Sequence, residues 1–437
     1  MSMLTSEKQT LSDALIKSID SNQFSVLSDQ RKEALTGFKN LGLPGSKSEE
    51  YRFTPITKLL EKNFSAEELA QSPALSSENL GDLIPKDFKD NCIVFVNGRY
   101  DKSLSRINVD SKIVVKRLAE AIETHSEIVL NRITQIDHLN DPFAFLNSAL
   151  WQDGLFIHVP KNTVEKNPLF LYHLHDTSKE KVVTHSRVLA VIEQNAEFTL
   201  VEKGDSKGDH PIFNTINEEI SVGENATFNY YKIQNDPGQI IQVANTTVYQ
   251  HASSRANTYT FTLNGSLIRN NLNIVIDGEG CESHFYGLYL TNGDTLVDNH
   301  TTVDHKKPNS FSNELYKGLM DGKSKGVFNG KIFVRPHAQK TNAFQSNRNI
   351  LLSDSATVNT KPQLEIWADD VKCSHGCTSG QLDDEALFYL QSRGIPRATA
   401  KAMLLYAFAA EVLEAVPDQR LSAYIDSMIS DRLHKSF

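Results

Sequence analysis

A change of texture along the chain predicts a mainly β protein: a β-helix core flanked by α-helical segments at both ends. From residue 151 to about 372 the sequence is short alternating runs rich in Val, Ile, Thr, Phe and Tyr, broken by Gly, Asn and Asp. Helical periodicity is nearly absent there. Some runs resemble one another. Gln194-Asn-Ala-Glu-Phe-Thr-Leu200 matches Glu224-Asn-Ala-Thr-Phe-Asn-Tyr230, and Arg255-Ala-Asn-Thr-Tyr-Thr-Phe261 is a weaker third copy, so Ala196, Ala226 and Ala256 recur every 30 positions. Ser355-Ala-Thr-Val-Asn359 is a late cousin. A period in the range of about 20–50 residues signals a solenoid or an array of hairpins. A β-helix suits turns at regular intervals with no helices available for βαβ crossovers; a β-sandwich is the competing architecture. A solenoid leaves open ends, which flanking domains or a partner should cover.

Three regions follow: 1–150, mostly helical with a short strand; 151–378, the β-helix core; 379–437, a C-terminal helical domain. In the first, Leu11, Leu15, Ile16 and Ile19 mark one helical face. Gly42-Leu43-Pro44-Gly45 breaks the pattern, and Ser46 to Pro55 reads as a capped connector packing Tyr51 and Phe53 on a neighbour. Cys92-Ile-Val-Phe-Val-Asn-Gly-Arg99 reads as a strand ending in an Asn-Gly turn, with Cys92 a buried structural thiol. Residues 115–150 look helical again.

In the last region, Asp383 or Asp384 caps a helix through Phe388 and Leu390 that Gly394 ends. Pro396 opens a strongly amphipathic helix through Met403, Leu404, Phe408 and Val412, stopped before Pro417. A third helix carries Leu421, Tyr424, Ile425, Met428 and Ile429. Three short helices make a marginal core alone, so their apolar stripes pack on the β region or await a partner.

Composition narrows the function. At 437 residues the chain can build two or three domains with substantial cores. A net charge of −9 without basic runs gives no reason to expect nucleic acid. The first ten residues lack the apolar core of a secretory signal, and no run approaches the ~18 apolar residues of a membrane span, so no membrane is expected. Four cysteines are too few for a disulfide scaffold. The expected compartment is the cytoplasm. No Walker-type or dinucleotide-binding glycine loop occurs, and Gly326-Val-Phe-Asn-Gly-Lys-Ile332 reads as a strand and a turn.

The chemistry concentrates in Thr360 to Gln381, where Cys373, His375 and Cys377 fall within five residues. If the strand pattern of Leu364 to Val371 continues, all three face one side, neighbours ~6.6 Å apart and the cysteines ~13 Å apart. A Cys/His pair two residues apart can then bite one metal; the two cysteines cannot. Gly376 and Gly380 allow a bend. A closed zinc site needs four ligands, and Cys92 and Cys281 lie in distant β-patterned runs. A catalytic Cys/His dyad needs that bend to bring thiol and imidazole into hydrogen-bond reach. Two small thiols and a polar histidine at an edge are the structural alternative. The better functional reading is an incomplete soft-ligand set completed by another chain. Asp369 and Asp370 read as a solvated turn.

These residues also carry a resemblance. Thr360-Lys-Pro-Gln-Leu-Glu-Ile-Trp-Ala-Asp-Asp-Val-Lys-Cys-Ser-His-Gly376 and Gly380-Gln-Leu-Asp-Asp-Glu-Ala-Leu-Phe-Tyr-Leu-Gln-Ser-Arg-Gly-Ile395 closely resemble the SufB/SufD family of iron–sulfur cluster assembly proteins. So do Glu49-Glu-Tyr-Arg-Phe-Thr54, Phe145-Leu-Asn-Ser-Ala149, Asp153-Gly-Leu-Phe-Ile-His-Val-Pro160, Val327-Phe-Asn-Gly-Lys-Ile332 and His337-Ala-Gln-Lys-Thr341. The resemblance covers nearly the whole chain, and the Lys-Cys-Ser-His-Gly segment favours the branch that pairs with SufB.

The resemblance implies a right-handed parallel β-helix between helical domains, in a non-enzymatic scaffold subunit of a SufBCD-type complex. Its partners would be a SufB-like paralogue at the C-terminal part of the β-helix, a SufC-like ATPase, and a sulfur donor from a cysteine desulfurase system. Phe388, Tyr389, Met403, Leu404 and Phe408 would then lie on the SufC-docking helices. His375 and Cys373 match the family's cluster-building positions at the SufB interface. Cys377, usually Ala there, would be a bystander or an extra ligand. No stably bound cofactor is implied, only a transient iron–sulfur cluster or iron. Gln345-Ser-Asn-Arg-Asn-Ile350 lacks the cysteine SufB would carry, so this chain alone holds an incomplete site. A homodimer of the isolated chain is allowed. The runner-up is a carbohydrate-active β-helix enzyme resembling a polysaccharide lyase, for which neither a groove of paired carboxylates nor a secretion signal is evident.

Overall fold

The computed structural model describes residues 10–20, 27–45, 47–70, 80–133 and 140–436. Parts of the helical reading at 1–9, 21–26, 71–79 and 134–139, and Ser46 of the connector, lie outside the described residues. The strands stack in parallel as a solenoid of about 8 turns. Each full turn gives one strand to each of two facing sheets, and among the described residues the first sheet has ten strands and the second nine. The first runs from Val371–Gly380 back to Cys92–Val96 and Arg99–Tyr100; the second runs from Thr357–Ile366 back to Val114–Arg117. Among the described strands only Arg99–Tyr100 and Val114–Arg117 pair antiparallel, and an isolated antiparallel bridge joins Cys92 to Arg106. A sandwich is built from antiparallel sheets, so the parallel register decides for the β-helix.

In a parallel stack each residue sits over its counterpart in the next turn, so one corner recurs as a column. Asn162, Asn195, Asn225, Ser253 and Asn309 all take positive φ, between 55° and 62°. That conformation suits asparagine better than most side-chain-bearing residues. The Asn195 amide donates to Asn162 and the Asn225 amide to Asn195, each at 2.8 Å. The sequence repeat is only partly in step with this column. Glu197 pairs with Thr227, which keeps Ala196 and Ala226 in register, but Arg255 also pairs with Thr227, so Ala256 stands over Phe228 instead. That turn is two residues shorter, and Ala356 leads into a strand of the other sheet.

Aliphatic and aromatic side chains from alternating positions, among them Ile157, Leu171, Val188, Phe198, Phe228 and Phe328, fill the space between the sheets. The helices cover the outer faces. Phe38 of Ser28–Leu41, Leu60 of Ile56–Asn63 and Phe143 of Pro142–Leu150 pack on Phe213, Val243 and Leu267 of the second sheet. Leu405, Ala409 and Val412 of Arg397–Leu413 and Ile425 of Gln419–Ser436 pack on Tyr231, Tyr259 and Leu288 of the first. Cys92–Val96 joins the first sheet, in register with Leu169–Thr177, and Cys92 is buried.

The connector is half as expected. Tyr51 is buried, its hydroxyl donates to Asp141, and the Arg269 guanidinium lies 3.9 Å above its ring. Phe53 instead remains exposed. Arg269 is itself buried, donates to the Glu50 carbonyl at 2.8 Å and pairs with Asp298 at 2.5 Å, tying the N-terminal segment to the solenoid. Gly326 to Ile332 holds no turn. It lies wholly in the strand Lys325–Val334, and its glycines make room for neighbours across the core. At Gly330 a Cβ would stand 2.1 Å from Gln345 Nε2.

Two outcomes follow from this burial. Arg269→Ala removes the guanidinium from a buried Asp298 that then keeps only Thr54 and His300, and is expected to lower stability by about 3 kcal/mol in chemical denaturation; a loss under ~1 kcal/mol contradicts the anchoring role. Burial holds the imidazoles of His173, His175, His185 and His305 at about 4, below their ordinary 6.5, so between those values the unfolded chain binds protons the fold refuses. Stability is therefore lost as pH falls through that window. Burial raises Glu218 and Glu314 to about 7 from 4.5, which acts the opposite way over pH 7 to 4.5. Four imidazoles outweigh two carboxyls, so the melting temperature should drop between pH 6.5 and 4.5. A flat or rising profile would contradict this balance.

Candidate functional site

The solenoid ends on two strands, Thr357–Ile366 in the second sheet and Val371–Gly380 in the first, joined by an exposed turn through Asp369 and Asp370. Each is the terminal strand of its sheet, so one side of its backbone has no strand partner among the described residues. Long, unpaired edges of this kind are templates for another chain.

Pairing with Thr341–Leu351 is continuous from Val371 to Gly380, so the glycines produce no bend. Cys373 lies in register with Ala343, His375 with Gln345, and Cys377 with Asn347. All three counterparts are buried inside the solenoid. Cys373, His375 and Cys377 therefore share the inward side of the last strand, at a level where no further turn closes over them. Strand geometry and the structure agree on the shared face. Cys373 is half-buried and packs on the end of the core, and that burial raises its thiol pKa. His375 and Cys377 are exposed. The Cys377 sulfur lies 2.7 Å from the Thr360 hydroxyl of the facing strand.

The structure does not bring the other two cysteines here. Cys281 is inside the core and Cys92 lies beneath the outer face of the first sheet, both with thiol pKa raised by burial. Among the described residues no three His, Cys, Asp or Glu side chains are grouped to hold a metal. The two-residue spacing thus gives no closed metal centre among the described residues. Below His375, the buried Gln345 and Glu314 form a polar column that periodicity did not single out. Inward polar residues in the alternating run Thr341–Leu351 were its only trace.

The rim adds apolar surface. Trp367 is 48% exposed and stacks on Phe333, with the Arg335 guanidinium over both rings. In the tail, Asp383 caps Asp384–Ser392 by accepting from the Glu385 and Ala386 amides, and Gly394 takes φ +86°. Phe388, Tyr389 and Met403 are 72%, 57% and 47% exposed and face away from the solenoid. Leu404 is half-buried, and Phe408 lies against the first sheet with the Lys317 ammonium 4.4 Å above its ring.

With this geometry in place, the comparisons with known proteins fall into one group. Residues 174–408 match the family model described as SUF system FeS cluster assembly, SufBD core domain, and residues 6–171 match the SufBD protein N-terminal region. An iron–sulfur cluster assembly SufBD family protein of Synechocystis is 32% identical over 95% of this chain and 93% of its own. The iron–sulfur cluster assembly protein SufD of Escherichia coli is 32% identical, covering 93% of each chain, and SufD of Bacillus subtilis is 27% identical over 93% of this chain and 94% of its own. The chain belongs to the SufB/SufD family of iron–sulfur cluster assembly proteins. Within it, the chain falls with SufD rather than SufB. Nothing in these relatives supports a carbohydrate-active enzyme. No helix among the described residues is long and apolar enough to cross a membrane.

The burial pattern sets an order of thiol reactivity. In the folded chain Cys377 should react first with a thiol-specific reagent and Cys373 more slowly, while Cys92 and Cys281 should need denaturant. Mass spectrometry of labelled peptides reads the order, and early labelling of Cys281 would contradict the core.

Proposed function

We propose that this chain is a non-enzymatic scaffold subunit for iron–sulfur cluster assembly, pairing its open solenoid end with a SufB-like paralogue. The observation that carries the reading is the last strand itself: Cys373, His375 and Cys377 on the inward side of an edge that no further turn covers. A second chain adding a strand to that edge pairs the free backbone groups and brings its own ligands over the same side chains. His375 is the principal iron ligand, Cys373 stands beside it, and Cys377 is available as an extra ligand. Iron or a nascent cluster is cargo here, held while the complex is closed and passed on to apo-proteins. Soft thiolate and imidazole donors suit such a cargo.

A SufC-like ATPase docks on the tail helices through Phe388, Tyr389 and Met403, with Leu404 at the margin. Large exposed aromatic and thioether side chains on a helical surface fit a protein contact. Phe408 contributes by seating Arg397–Leu413 on the first sheet. Sulfur comes from a cysteine desulfurase system outside this chain.

Two experiments test these assignments. His375→Ala should leave the melting temperature unchanged but depress cluster assembly in cells, and unchanged assembly sinks the ligand role. Deleting residues 383–437 would also strip the cover from the first sheet, so point variants are cleaner. Phe388→Asp and Met403→Asp should weaken binding of a SufC-like ATPase by about tenfold or more while retaining the fold. Wild-type affinity in both variants rejects this docking face.

A further inference from the structure

A column of buried polar side chains lies under His375, in a solenoid interior that elsewhere also holds Glu202, Glu218 and Lys232. His375 lies in register with Gln345, and Gln345 with Glu314, so three successive strands of the first sheet place one polar side chain each in the same inward position. Phe285 closes the column on the next strand. Gln345 and Glu314 are both buried, and the Gln345 Nε2 donates to Glu314 Oε2 at 2.8 Å. That bond commits the amide nitrogen toward the core. The amide oxygen, Gln345 Oε1, is buried and has no hydrogen-bond partner among the described residues.

The facing sheet is cut back to admit this amide. Gly330 stands opposite, and a Cβ there would lie 2.1 Å from Gln345 Nε2. A buried amide whose oxygen is left unpaired costs stability that an apolar side chain in its place would not. The next group outward in the column is the His375 imidazole, which carries an N–H in either tautomer.

We infer that Gln345 is the positioning residue for His375: its Oε1 accepts the imidazole N–H and so fixes the tautomer that leaves the other ring nitrogen free at the open edge. Glu314 acts one step further in, by holding the Gln345 amide nitrogen and leaving the oxygen as the group free to accept. Metal-binding imidazoles are commonly oriented by such an acceptor on the second nitrogen. The inference rests on the proposed role of His375 as a ligand, and its test separates the two.

The test uses the full chain labelled with 15N-histidine, alone and assembled with a SufB-like paralogue and a SufC-like ATPase. The His375 ring signals are identified by their loss in His375→Ala, and their nitrogen shifts report the tautomer. Wild type should show one predominant tautomer. Gln345→Leu should give a mixture and slow cluster assembly by about tenfold or more. Gln345→Asn, which keeps both the amide donor and the acceptor on a shorter side chain, should give a mixture intermediate between wild type and Gln345→Leu, and melting temperatures check that each variant folds. A mixed tautomer in wild type, or one unchanged in Gln345→Leu, overturns the positioning role even if His375→Ala abolishes assembly. Normal assembly in His375→Ala overturns the ligand role on which it rests.

Discussion

Parallel pairing between successive turns is the constraint on which the rest of this molecule depends. Each strand satisfies its backbone groups only by having a turn above and a turn below, and the last turn has no turn beyond it. The ordinary remedies, a short strand, a proline or a covering helix, are absent over most of Val371–Gly380. The chain instead places two thiols and an imidazole there. An edge of this kind is a cost for an isolated chain and an asset for one that acts with a partner.

The helices make sense against that background. They pack on the outer faces of both sheets, and the terminal strands keep an unpaired edge among the described residues. Arg269, Asp298 and Tyr51 lock the N-terminal segment onto the second sheet, while the Lys317 ammonium reaches the Phe408 carbonyl at 2.8 Å and holds a tail helix on the first. Phe388 and Tyr389, on the shorter helix Asp384–Ser392, stay exposed because only Leu387 of that helix is buried. The chain thus offers two surfaces of different character: an open strand edge carrying thiols and an imidazole, and an aromatic helical face.

Much of this was legible in the chain. Short β-branched runs with Asn and Gly between them marked a solenoid, because parallel stacking repeats the same corner conformation every turn. Asn195 and Asn225 are that repetition in sequence form. The spacing of Cys373, His375 and Cys377 placed them on one face, since side-chain alternation along a strand is local. Other features were not legible. The repeat through Ala256 was misplaced by two residues because turn length, unlike corner chemistry, varies freely. Gly326 and Gly330 looked like turn residues, yet they are strand positions facing large side chains across the core. Phe53 looked buried and is exposed, since a connector's aromatics alternate in direction and only one of them meets Arg269.

Periodicity, corners, helix caps and the soft donors at the end of the β region are written along the chain, because each depends on neighbours a few residues away. Which side of the last strand faces inward follows from the stacked fold. It alone placed Gln345 and Glu314 beneath His375, at sequence distances of 30 and 61 residues. Stacking of turns brings these groups together, and no local pattern records it. The same stacking, halted at Val371–Gly380, leaves the donor set open on one side.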